Sequence, residues 1–93
     1  MATKFLAHKM EDSVGVATND ISKNEEIEGV YMDNNKKTTV KAVDDIVLGH
    51  KIALKDIKKD DRVVEYGEPI GKATQDIKKG EHVHTHNIKT MRW

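Results

Sequence analysis

Hydrophobic positions in this chain come in short bursts of strand length. Ser13-Val14-Gly15-Val16-Ala17 and Thr38-Thr39-Val40-Lys41-Ala42-Val43 are β-branched runs, and Asp33-Asn34-Asn35-Lys36-Lys37 predicts a turn before the second. Gly49-His50-Lys51-Ile52-Ala53-Leu54 starts a further strand. Tyr66-Gly67-Glu68-Pro69-Ile70-Gly71 places the only proline between two glycines, which predicts a tight turn. No segment sustains a 3.6-residue apolar period over helix length, so the expectation is an all-β chain with little helix.

A degenerate repeat underlies these bursts. Residues 17–27, 53–63 and 73–83 share the pattern A-x-x-D-I-x-K-[NDG]-[DE]-x-[IV]. Each copy reads as strand, turn, strand, because Asn24, Asp60 or Gly80 at the turn tolerates positive φ and a β-branched residue follows. Asp20, Asp56 and Asp76 are expected to bond backbone amides nearby in their turns. The copies are too unevenly spaced for a solenoid, and one β domain reusing a corner is the simpler reading. Superposition places Ile27, Val63 and Val83 inward.

The inward position of Val83 orients its neighbours. In Gly80-Glu81-His82-Val83-His84-Thr85-His86-Asn87, three of the chain's 5 histidines fall on every second residue. A β-strand would put His82, His84 and His86 on one outward face, roughly 6–7 Å apart. Imidazole is a common metal ligand and titrates near neutral pH, so such a row can bind a metal or transfer protons.

The chain is 93 residues long, 37% hydrophobic, and its aromatic residues are Phe5, Tyr31, Tyr66 and Trp93. One domain over residues 1–93 is expected, with a thin core, since a chain this short buries only about 60–65% of its unfolded surface. Association with a partner, or with copies of itself, would add buried area. The 16 basic and 16 acidic residues are interspersed, which gives no electrostatic footprint for nucleic acid or an anionic membrane. No stretch approaches the roughly 20 apolar residues of a membrane span, and no export signal opens the chain. The chain has no cysteine, so there is no disulfide framework and no thiolate nucleophile; a soluble, cytoplasmic protein is expected.

With these motifs in order, the chain resembles the SAF domain of the altronate/galactarate dehydratase family over nearly its full length. The likeness runs through Asp12-Ser13-Val14-Gly15-Val16, residues 49–57, residues 66–71 and residues 80–87. It implies a β-clip fold of short strands with long-range pairing. In the family the domain is either part of a longer dehydratase or a free small subunit, and the ending over residues 87–93 resembles that of a free subunit.

The resemblance implies a lyase that eliminates water, or sulfite, from a hydroxy acid such as altronate or sulfolactate, with a divalent metal, iron being the expected one. Elimination next to a carboxylate needs a base for the α-proton and an acid or Lewis acid for the leaving group. The resemblance implies His84 and His86, with His50 converging on them, as the candidates for catalysis; His82, His84 and His86 are the candidate metal ligands, and Asn87 and Lys51 the candidate substrate contacts. Asn87 has a second reading as a strand cap, and His8 falls on a family position where turn packing explains it equally well. A large lyase subunit is the implied partner. The competing reading is a carbohydrate-binding or oligomerisation module without chemistry. Two positions depart from the family: acidic Asp60 or Asp61 in the second copy, where glycine is common, and Glu65 in place of lysine. Glu65 reverses a charge beside the Tyr66-Gly67 turn and leaves the substrate open.

Overall fold

Four corners, one more than the repeat pattern picks out, organise the chain. The structure, a computed structural model, describes residues 2–90, so the last three residues of the ending lie outside the described residues. The strands, in chain order, are β1 (Thr3–Ala7), β2 (Val14–Ala17), β3 (Glu26–Tyr31), β4 (Lys37–Lys41), β5 (Lys51–Ala53), β6 (Arg62–Glu65), β7 (Glu68–Ala73), β8 (His82–Val83) and β9 (Ile88–Thr90). They form a six-stranded sheet, β4-β3-β1-β2-β5-β8, and a three-stranded sheet, β6-β7-β9. Neighbours run antiparallel except β1 and β3, which are parallel. The all-β expectation holds: no helix occurs among the described residues, and hence none long and apolar enough to cross a membrane.

The fourth corner is residues 42–52, where Ala42, Asp45, Ile46, Gly49 and Ile52 occupy the repeat positions. It escapes the sequence pattern because Leu48 stands where the other copies have lysine and His50 where they have an acid. The corners close in pairs. Ile21 and Ile46 exchange backbone hydrogen bonds at 2.8 and 2.9 Å, and Ile57 and Ile77 exchange theirs at 2.7 Å each. The four turn residues take positive φ: 71° at Asn24, 88° at Gly49, 73° at Asp60 and 93° at Gly80. Each then donates its N–H to the first alanine of the opposite corner, as Gly80 does to Ala53 at 2.8 Å.

The repeat aspartates act across each pair, whereas the sequence reading kept them within their own turns. Asp45 accepts from the Lys23 amide at 2.8 Å, and Asp20 accepts from the Leu48 amide at 2.9 Å. Asp76 accepts from Lys59 and Asp56 from Lys79, both at 2.9 Å. A corner therefore has its turn amide satisfied only when its mate is in place, which makes closure of each pair cooperative.

The core follows the pairs. Ala17, Ile21, Ile27, Ala42, Ile46 and Ile52 pack with Phe5 and Val40 in one apolar cluster. Ala53, Ile57, Val63, Ala73, Ile77 and Val83 pack with Val14 in the other. Ile27, Val63 and Val83 are fully buried, as superposition of the copies predicts. Ile52 ends one corner and Ala53 begins the next, so β5 faces both clusters and joins them.

Asp12 ties the second sheet to the first. It is fully buried, and its carboxylate accepts amides from Lys9 at 3.2 Å, Tyr66 at 3.0 Å and Gly67 at 2.9 Å. Ser13 Oγ accepts from the Val64 amide at 3.1 Å. These bonds hold Tyr66 at a φ of 60°. The turn is confined to Tyr66 and Gly67, shorter than the sequence predicts, and Pro69 lies inside β7 opposite Val64, where the register shifts. Such an irregularity accommodates a residue with no N–H to donate.

Candidate functional site

The register of β5 against β8 builds the site. These strands run antiparallel with Lys51 opposite Val83 and Ile52 opposite His82, so His50 and His84 meet just beyond the ladder. Their rings stack with centroids 4.3 Å apart and planes 13° apart. His82 comes in from the neighbouring position, and His50 Nδ1 lies 2.8 Å from His82 Nε2. That contact is a hydrogen bond in which one imidazole donates and the other accepts, so the pair holds a proton between two ring nitrogens. One ring nitrogen from each of His50, His82 and His84 falls within 4.8 Å of the others.

The histidine run is a strand only at its start. β8 ends at Val83, and the chain turns because Asn87 reaches back: its Oδ1 accepts the His84 amide at 3.0 Å and its Nδ2 donates to the His82 carbonyl at 2.8 Å. The expected row of His82, His84 and His86 is therefore broken after Val83, and His50 joins His82 and His84. His86 lies to one side, its ring 5.2 Å from that of His82 and tilted by 35°. Asn87 is fully buried and takes the capping alternative, shaping the loop that carries the site. Lys51 lies opposite Val83 in the ladder, and the pleat sends it to the face away from His82.

His82 is fixed from both sides. Asp44 Oδ2 accepts its amide at 3.1 Å, while its ring is half-buried against the other imidazoles. Burial first, and then the charges of His86, His50 and His84, push its pKa below the ordinary histidine value, and Asp44 opposes this weakly. A lowered pKa keeps the ring neutral near pH 7, the state in which imidazole accepts a proton or binds a metal. Two half-buried imidazoles and one exposed one leave the trio open on the outside of the domain.

His8 belongs to a different group. Its ring stacks on Tyr66 with centroids 3.3 Å apart, beside the turn held by Asp12. Asp12 is a residue whose weight the sequence does not reveal; the one signal is a carboxylate directly ahead of the small and apolar run over residues 13–17.

Fold and site together define a small all-β module of paired corners with an outward histidine cluster. The chain belongs to the altronate/galactarate dehydratase SAF domain family, which it matches over residues 3–91. It is 37% identical over 94 residues to the (2R)-sulfolactate sulfo-lyase subunit alpha of Chromohalobacter salexigens, with the whole of both chains covered. The alpha subunit of the same name from Paracoccus pantotrophus is 48% identical over 64 residues, 69% of this chain and 96% of that one. Altronate dehydratase of Bacillus subtilis is 44% identical over 86 residues, 92% of this chain but 16% of that enzyme.

Proposed function

We propose that this chain is the small subunit of a lyase that removes water or sulfite from a hydroxy acid, and that it shares its active site with a separate large subunit. The observation that carries the reading is the convergence of His50, His82 and His84 on an open surface, with His50 Nδ1 and His82 Nε2 2.8 Å apart. Small-molecule sites bury most of their ligand in a concavity. An outward imidazole cluster on a domain this small becomes such a site when a second surface covers it. The relatives fit this reading, because the matching stretch is a whole subunit in the sulfo-lyases and 16% of a longer chain in the Bacillus subtilis dehydratase.

In this mechanism the exposed imidazole of His84 faces the substrate and takes the proton α to the carboxylate. The electron pair of the broken C–H bond forms the double bond as the C–O or C–S bond breaks. The departing oxygen needs a proton to leave as water, and the hydrogen-bonded His50–His82 pair can relay to it the proton that His84 has taken up. In place of those proton transfers, the three nitrogen donors suit a divalent metal such as iron, since imidazole is a ligand common to the later first-row ions. Held by His50, His82 and His84, such an ion would supply Lewis-acid polarisation of the leaving oxygen.

The test is capture of the tagged chain from its native lysate, with the captured complex and the purified chain each assayed against a panel of hydroxy acids. Elimination by the complex and none by the chain alone is expected. Turnover by the chain alone would contradict a shared site.

A further inference from the structure

The four corners provide an internal comparison for surface positions. At the sixth and seventh positions of the repeat, three corners carry Ser22 and Lys23, Lys58 and Lys59, and Lys78 and Lys79, all exposed. The corner over residues 42–52 carries Val47 and Leu48 there, with relative exposures of 56% and 57%. The backbone is equivalent in all four, down to the bond from each seventh-position amide to the opposite aspartate. Nothing in the fold of a corner therefore requires Val47 and Leu48 to be apolar.

This apolar pair adjoins the histidine site. The His50 amide donates to the Val47 carbonyl at 2.9 Å, and the exposed Val43 donates its amide to Gly80, two residues before His82. Val47 also borders a surface groove of about 310 Å³ between the first two corners. The equivalent groove between the other two measures about 120 Å³ and carries Lys58 and Lys78. Interface centres are apolar and depleted of charge, while their rims stay polar.

We propose that Val43, Val47 and Leu48 form the centre of the surface on which the large lyase subunit docks, so that docking itself covers His50 and His84. The proposal rests on the shared-site reading and names where the second surface arrives. The partner is a lyase polypeptide with an apolar patch at the edge of its own substrate cleft. The three side chains supply the centre of the contact, and neighbouring polar surface supplies the remainder of the roughly 800 Å² per partner that a stable complex buries.

The test places a photo-crosslinking amino acid at position 48 of the full chain and, in separate preparations, at the equivalent positions 59 and 79, with irradiation in the source cells. Position 48 should link to a large lyase polypeptide identified by mass, and positions 59 and 79 should not. Val47→Lys with Leu48→Lys should keep the thermal midpoint, because two other corners carry lysine at both places, yet weaken binding of that polypeptide at least tenfold. Links from position 48 only to a second copy of this chain, no link at all, or unchanged binding by the double variant would each overturn the proposal. If the double variant loses binding while His50→Ala and His84→Ala leave turnover of the complex unchanged, the docking surface stands and the shared-site chemistry fails.

Discussion

Asp56 caps a turn that is not its own: its carboxylate accepts the amide of Lys79, in the corner that pairs with it, at 2.9 Å. Asp76 returns the bond to Lys59 at the same length. Asp56→Ala leaves the Lys79 amide without its partner just ahead of the histidine segment. A loss of about 1 kcal/mol in unfolding free energy is expected, as for one hydrogen bond to a charged acceptor at the surface. Urea denaturation measures it, and adding Asp76→Ala should cost less than the two single changes summed if the pair closes cooperatively, because the first change already weakens the closure that the second bond depends on.

Asp12 bears a heavier load, with amides of Lys9, Tyr66 and Gly67 converging on one buried carboxylate. Asp12→Ala should destabilise the chain by on the order of 3 kcal/mol, because amide donors in the interior are left unpaired. Asp12→Asn retains one acceptor oxygen and should lose less. Thermal denaturation of the two variants side by side gives the order, and an equal loss in both would argue against the amide cradle.

Gly49 and Gly80 occupy the same repeat position with similar positive φ, yet substitution should separate them. A Cβ on Gly49 meets nothing within 4 Å, so Gly49→Ala carries only the backbone cost of about 1–2 kcal/mol. A Cβ on Gly80 collides with the backbone carbonyl of Lys41. Gly80→Ala should therefore displace the start of the corner over residues 42–52 or shift β8 as well, and a thermal midpoint matching that of Gly49→Ala would contradict this.

Stability should fall in mild acid. The pKa of His82 is lowered from the ordinary value of 6.5, so the unfolded chain takes up that proton more readily than the folded one. The contribution is fully present above about pH 6.5 and is lost as pH falls toward the lowered folded value. Urea midpoints at about pH 7.5 and about pH 5.5 should differ in that direction, with a smaller difference in His82→Gln. A His82→Gln variant with the same pH slope as the parent would locate the effect elsewhere.

Much of the fold was legible in the residues. β-branched runs placed the strands, and superposing three copies put Ile27, Val63 and Val83 in the core. The fourth corner escaped because the pattern included surface residues: Leu48 and His50 broke the match while Ala42, Asp45, Ile46 and Ile52 kept it. The divergent corner supplies His50 to the site, so the feature that hid it is also its chemistry. Strand parity grouped His82, His84 and His86 but could not show that His50 joins His82 and His84, nor that the His86 ring is tilted out of the stack. Parity holds only while the strand lasts, and a buried Asn87 bonded to the backbone of residues 82 and 84 ends it. The aspartates bonding across pairs depended on which corners meet, and tertiary pairing of that kind is not encoded within one copy.

Activity of the reconstituted complex with His50→Ala and His84→Ala, compared with the parent and a Lys58→Ala surface control, tests the central claim most directly. Elimination should drop by about 10²-fold or more in each histidine variant, the usual scale for loss of a general acid or base. Binding to the large subunit and the Lys58→Ala rate should stay unchanged. Full turnover in both histidine variants, with the complex intact, would show that the imidazole trio takes no part in the chemistry.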